Sequence, residues 1–197
     1  MGNKSNYKYS FSQLRKDVVL DIDAYLGFAS EYNSKERNWR SNLSALLMPS
    51  VIACWIYRYS HWFYSHGFSR ISLIISGLNQ FLLGISITPA SRIQGGLYIA
   101  HPASGIVFQG NAGMGLKLLA GSAVIAEPMM PLHRHGHSKS PHFGDNVALG
   151  SKAFVCGSVT VGSNTRIGFN AVIFEDIPED SLVISTYVRN RIEKNKV

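Results

Sequence analysis

Cysteine is almost absent from this 197-residue sequence, with only Cys54 and Cys156. The two lie in different stretches and show neither a disulfide framework nor metal-ligand spacing, so a reducing, cytoplasmic setting is expected. Charge is sparse too, at 16% of residues, and the acidic sign is the scarcer, with 12 Asp and Glu against 19 Lys and Arg. Low charge supports a packed protein. The net charge of +7 favours anionic partners, such as phosphate-bearing ligands, an acidic polysaccharide or a membrane surface, with a basic solvated face as the plain alternative. Nucleic acid is not expected, because the lysines and arginines are dispersed without a basic helix or an aromatic-basic strand motif. The N-terminal run from Met1 to Lys8 lacks the apolar core of a signal peptide, and Gly2 with Ser5 misses the myristoylation pattern. The stretch Ile71 to Ile87 is uncharged, but Gly77, Asn79 and Gln80 interrupt it, so it reads as a buried helix in preference to a membrane span. The aromatic-rich helices leave peripheral contact with the inner face of a membrane open.

What the sequence does have is a repeat. From Phe143 an apolar residue returns every sixth position, at Leu149, Val155, Val161, Ile167 and Ile173. Glycine follows it at Gly144, Gly150, Gly162 and Gly168, and Val147, Ala153, Val159, Thr165 and Ala171 sit four positions on. Period six fits neither a helix nor an alternating strand, so it belongs to a larger repeat. Three flat sides and three corners close a triangular coil, with the apolar residues stacked in a narrow prism. Read backwards, the register runs through Ile87, Ile93 and Ile99, then after an extra residue near Pro102 through Ile106, Ala112, Leu118 and Val124. Between Val124 and Phe143 the spacing is nineteen, so the segment 126–142 must include a loop thrown out from the prism. The fold expected is mainly β, a parallel β-helix of hexapeptide repeats over 85–197, behind an α-helical region over 1–84. In that region Leu14, Val18, Val19, Leu20 and Leu26 suggest one amphipathic helix. A second runs through Ala53 to Tyr64 and is broken at Gly67.

This arrangement resembles the hexapeptide-repeat acyltransferases, most closely their serine acetyltransferase-like branch, over about residues 45 to 190. The residues that carry the resemblance are the Ile87-Thr-Pro-Ala-Ser-Arg-Ile93 run, the His101-Pro-Ala-Ser-Gly-Ile-Val107 run, the loop before Phe143 and the final rungs. It implies a left-handed coil, direct transfer from acetyl-coenzyme A without a metal, and a homotrimer or a dimer of trimers. It also implies that His101 is the general base. Imidazole suits that task because its unperturbed pKa lies near neutrality. Coenzyme A would then lie along Gly150, Ser151, Gly168 and Phe169, with Arg189 or Arg191 meeting its phosphates. A solvated tail is the alternative for the arginines, and a hydrogen-bonded corner residue the alternative for His101.

Three positions depart from the serine acetyltransferase pattern. Ala100 stands where that family has an aspartate, Ser86 where it has the aspartate that orients the base, and Ser140 where it has a second loop histidine. Loss of two carboxylates leaves an ammonium group without a counter-ion. The expected acceptor is therefore a neutral hydroxyl, on a carbohydrate or a surface polysaccharide precursor. Serine O-acetyltransferase and a non-catalytic β-helix binding protein are the alternatives. The loop holds His133, Arg134, His135 and His137, with His142 after it, and reads as acceptor-binding or as solvated. Alternation at 133, 135 and 137 would suit a divalent metal if the loop were an extended strand, but none is expected.

Overall fold

The computed structural model describes residues 8–33, 43–126 and 140–185. The helices are α1 (Phe11–Asn33), α2 (Pro49–Ser65) and α3 (Ser69–Leu83). Helix α2 begins on Pro49, whose missing N–H falls where no intrahelical acceptor exists, and it stops before Gly67, which takes φ 86°. Helix α3 ends on Gly84 in the left-handed region, φ 64°. A Cβ there would lie 3.0 Å from Ala103 Cα, so the turn into the coil needs glycine on two counts.

The apolar stripe expected on α1 is only partly realised. Leu14 and Leu26 are buried, but Val19 is exposed, and two carboxylates, Asp17 and Asp21, are buried with them. Positions 14, 17 and 21 share a face of the helix, and the carboxylates face inward because Arg58 of α2 meets them there. Arg58 Nε and Nη2 donate to the two Asp21 oxygens, each at 2.9 Å, and Asp17 Oδ2 lies 3.6 Å from Nη1. Its remaining donors reach the carbonyls of Ile93 and Gln94. Asp21 Oδ1 accepts from Leu97 N at 2.7 Å, and Tyr9 donates to Asp17 at 2.6 Å. Burial alone would push the guanidinium pKa down, but the Asp21 carboxylate beside it reverses the direction, and Arg58 stays charged.

Helix α3 is not the buried helix that its sequence suggests. Its buried residues are Ser72 and Asn79, while Leu73, Ile74, Leu78, Phe81 and Leu82 face outward. The polar side chains choose the inner face because their partners are on α2: Ser72 donates to Ser60 O at 2.8 Å and Asn79 to Ala53 O at 3.0 Å.

The coil is made of β1 (Ile85–Ile87), β2 (Tyr98–Ile99), β3 (Ile106–Phe108), β4 (Asn111–Ala112), β5 (Lys117–Leu118), β6 (Ala123–Ile125) and β7 (His142–Phe143). It continues through β8 (Ala148–Leu149), β9 (Phe154–Cys156), β10 (Thr160–Val161), β11 (Arg166–Ile167), β12 (Val172–Ile173) and β13 (Leu182–Val183). All pair in parallel and form three sheets, ordered β1-β3-β6-β9-β12, β10-β7-β4 and β13-β11-β8-β5-β2. Each sheet stacks one interior column. The first is Ile87, Phe108, Val124, Val155 and Ile173. The second is Ile93, Ala112, Phe143, Val161 and Ile177, and the third Ile99, Leu118, Leu149, Ile167 and Val183. Most of these side chains are buried, so each coil covers the apolar residues of the next, as the hexad spacing requires. A Cβ on Gly150 would come within 2.7 Å of Ile167 O and Phe169 N, which is why glycine follows the apolar residue at that corner.

One register differs from the expectation. Phe108, and not Ile106, stacks on Ile87; Ile106 pairs with Ile85 two residue pairs earlier in the same strands. The step from Ile99 to Phe108 is nine residues, so the corner between them carries three more than a hexad, and the step from Phe108 to Ala112 is only four.

His61 on α2 is buried, and its Nδ1–H donates to Pro89 O at 2.8 Å. Burial lowers its pKa from the ordinary 6.5, with the Pro89 bond opposing. Stability from the neutral ring is thus fully present above the unfolded value and lost as pH falls through the folded one. The melting temperature is expected to drop as pH falls below the ordinary histidine range, and to drop less in His61→Gln. Parallel curves for the two proteins would refute this role.

Candidate functional site

The extra residues between Ile99 and Phe108 place His101 on a corner of the coil, outside the prism. Ala100 N still donates to Leu118 O at 2.9 Å, and the chain then leaves the strand with His101 at φ 51° and Ala103 at φ 72°, both left-handed. Ser104 Oγ closes the bulge by donating to His101 O at 2.6 Å. Two left-handed non-glycine residues so close together are a costly backbone, here fixed by the Ala103 N bond to Leu83 O at the end of α3. His101 is exposed. Gly121, Lys152 and Asn170 occupy the same corner on the coils beyond, also at positive φ, and Lys152 Cγ would lie 3.3 Å from a Cβ on Gly121. The helices and the bulge thus present one imidazole at the head of a column of corners.

Ser86 is half-buried on β1, Ala100 is buried, and Ser140 is exposed. Among the described residues no side chain is hydrogen-bonded to the His101 ring.

Two grooves, one between the helices and the first coil and one on the coil, do not include His101. One, of about 400 Å³, is lined by Tyr9, Asp17, His61, Arg92 and Gln94 among others. The other, of about 540 Å³, shares Arg92 and Gln94 and adds His142, Asp145 and Ser163. Asp145 Oδ1 accepts from Met114 N at 2.7 Å, which fixes one of its oxygens. Of the acceptor-side residues read from the sequence, His142 is therefore brought to this groove, while His133, Arg134, His135 and His137 lie outside the described residues, as do Arg189 and Arg191. The groove itself was not foreseen: Arg92, Asp145 and Ser163 are too far apart in sequence to signal a cluster.

The coenzyme A positions read from the sequence sit on the two coils below. Gly150, Ser151 and Gly168 are half-buried and Phe169 is 58% exposed. The close approach of Gly150 and Gly168 to the next coil accounts for both glycines without a ligand. Among the described residues there is no group of three or more His, Cys, Asp or Glu able to hold a metal.

No family model matches the chain. It is 32% identical over 141 residues to a serine acetyltransferase of Helicobacter pylori, across 71% of this chain and 79% of that protein. The chain belongs to the serine acetyltransferase family. Further serine acetyltransferases, from Synechococcus elongatus and Mycobacterium tuberculosis, are each 30% identical over 146 and 138 residues, covering 74% and 69% of this chain. The chain spans 58% of the length of these two. Among solved structures, serine acetyltransferase isoform 3 of Entamoeba histolytica, in complex with cysteine, aligns at a TM-score of 0.76 with 24% identity, over 94% of this chain and 63% of that one. The Neisseria gonorrhoeae serine acetyltransferase aligns at 0.74 with 23% identity, over 98% of this chain and 71% of that one. This likeness establishes the fold as the left-handed parallel β-helix with an N-terminal helical region.

The expectation of a carbohydrate or polysaccharide acceptor is overturned by these relatives, which are serine acetyltransferases. It rested on what Ser86, Ala100 and Ser140 lack. A missing carboxylate names a counter-ion that is absent from one position; it does not show that none is supplied from another.

Proposed function

We propose that the chain is an acetyl-coenzyme A-dependent serine O-acetyltransferase, serving cysteine biosynthesis from the cytoplasm. The observation that carries this reading is the 32% identity across 79% of a serine acetyltransferase. The exposed His101 on its constrained corner supports it. In this mechanism the His101 imidazole takes the proton of the serine hydroxyl as the oxygen attacks the thioester carbonyl. The tetrahedral intermediate collapses with cleavage of the C–S bond, and the imidazolium returns its proton to the leaving thiolate. No acyl-enzyme forms: Cys54 is buried, with its thiol pKa pushed well up by burial, and Cys156 belongs to a coil strand.

The groove beside His142 supports a zwitterionic acceptor, since its lining carries both a guanidinium, Arg92, and a carboxylate, Asp145. His101 lies outside that groove, so a trimer in which one copy's His101 faces the neighbour's groove completes the site. The segment with His133, Arg134, His135 and His137 belongs to the acceptor side of this arrangement. Gly150, Ser151, Gly168, Phe169 and Arg189 belong to the coenzyme A side.

The test is thiol release from acetyl-coenzyme A by the purified chain with and without L-serine, with the product identified by mass spectrometry. Release that depends on L-serine and yields O-acetylserine is the expected result. Release that L-serine does not stimulate overturns the proposal.

A further inference from the structure

Helix α3 has its polarity reversed with respect to a helix packed on a water-soluble core. Its inner face carries Ser72, Ser76 and Asn79, each hydrogen-bonded to a backbone carbonyl of α2 or β1. The opposite face, at 100° per residue, carries Leu73, Ile74, Leu78 and Phe81, and of these Ile74 is 66% and Phe81 85% exposed. Ile71 and Leu82 widen that face, and Phe68 extends it into the turn before the helix. This is a contiguous apolar surface, unlike the isolated exposed leucines of ordinary proteins.

The charge of α3 and of the chain on either side of it in sequence selects the partner. From residue 37 to residue 126 the sequence contains no aspartate and no glutamate. Over the described part of that stretch, 43–126, the basic residues are Arg58, Arg70, Arg92 and Lys117. Arg58 is buried against Asp21, whereas Arg70, on α3 itself, Arg92 and Lys117 are exposed. Phe68, 53% exposed, caps the start of α3 two residues before Arg70, and Tyr64, in the last turn of α2, is 43% exposed. Aromatic and arginine side chains at the end of an apolar face are the flank of a helix lying in a lipid interface, where the ring sits at headgroup level and the guanidinium reaches the phosphates. A second copy seated symmetrically on the same face would set Arg70 against the residues of α3, none of which is a carboxylate. No described helix is long and apolar enough to cross a membrane, so the helix would lie along the bilayer and not through it.

We propose that the outer face of α3 docks this protein on an anionic lipid bilayer. The contact is independent of acetyl transfer, and its failure would leave the proposed activity untouched. The test is co-sedimentation of the full chain with vesicles of phosphatidylglycerol and phosphatidylcholine, and with vesicles of phosphatidylcholine alone. Binding to the anionic vesicles, weakened by salt, is expected, with little binding to the neutral ones. Phe81→Ser should weaken it about tenfold or more, the scale of keeping one large apolar side chain in water. Ile74→Ser should act likewise, and Met114→Ser, on an exposed corner of the coil, should not. The α3 residues make their contacts outward, so an unchanged circular dichroism spectrum is expected for both variants. Absence of binding by the wild type, equal binding to neutral vesicles, or equal losses in Met114→Ser and Phe81→Ser would each overturn the proposal. So would sedimentation velocity showing that Phe81→Ser breaks up an assembly while lipid binding stays intact, since the face would then be an interface between copies.

Discussion

Replacing His101 by asparagine is expected to lower kcat for L-serine-dependent release of coenzyme A by about 10²-fold or more, with KM for both substrates changed far less. Asparagine is the informative variant because His101 sits at φ 51°, a conformation that asparagine adopts readily and alanine does not. His101→Ala removes the base and also strains the bulge that Ser104 closes, so it should lose as much activity and some stability besides. Added imidazole should restore part of the turnover of either variant, a rescue that a residue with only a structural role would not allow. Normal kcat in His101→Asn would take the base out of the proposed mechanism.

The hexad was legible because it is a property of spacing alone: a coil interior admits one apolar side chain per side, and the columns from Phe143 to Ile173 follow the sequence without a slip. It failed locally at Ile106-Val-Phe108, where two apolar residues two apart both point inward and either satisfies the pattern. The choice was made by the enlarged corner at His101, whose extra length no periodicity reveals. The aspartates of α1 were missed for a related reason, since a carboxylate on an apolar face is read as exposed until its cation is known, and Arg58 is 37 residues beyond Asp21. In α3 the composition gave no hint of which side faced inward, because the side was decided by hydrogen bonds from Ser72 and Asn79 and not by apolar burial. The family motif singles out His101, and the structure places it on an exposed corner of the coil. The groove was not legible, because Arg92 and Asp145 come to one lining only once the coil is wound, whereas Ser86 and Ala100 record only what those positions lack.

The largest effect on stability is expected at Arg58. It joins α1, α2 and the first coil, through Asp17 and Asp21 on one side and the carbonyls of Ile93 and Gln94 on the other. Arg58→Met keeps the apolar stem but takes the guanidinium from the buried Asp17 and Asp21 carboxylates and from the Ile93 and Gln94 carbonyls. Breaking a buried pair from one side costs about 3–5 kcal/mol, more than the pair itself contributes, because the remaining charge is still held out of water. For a chain of this size that corresponds to a fall in melting temperature of about 6–20 °C. Arg58→Lys should recover only part of the loss, since an ammonium cannot serve both Asp21 oxygens and both carbonyls in one plane. Asp21→Asn in the Arg58→Met background should recover more, because the amide removes the stranded charge while its oxygen still accepts from Leu97 N. A double variant no more stable than Arg58→Met would mean that packing around the guanidinium stem, and not the charge, holds the helices to the coil.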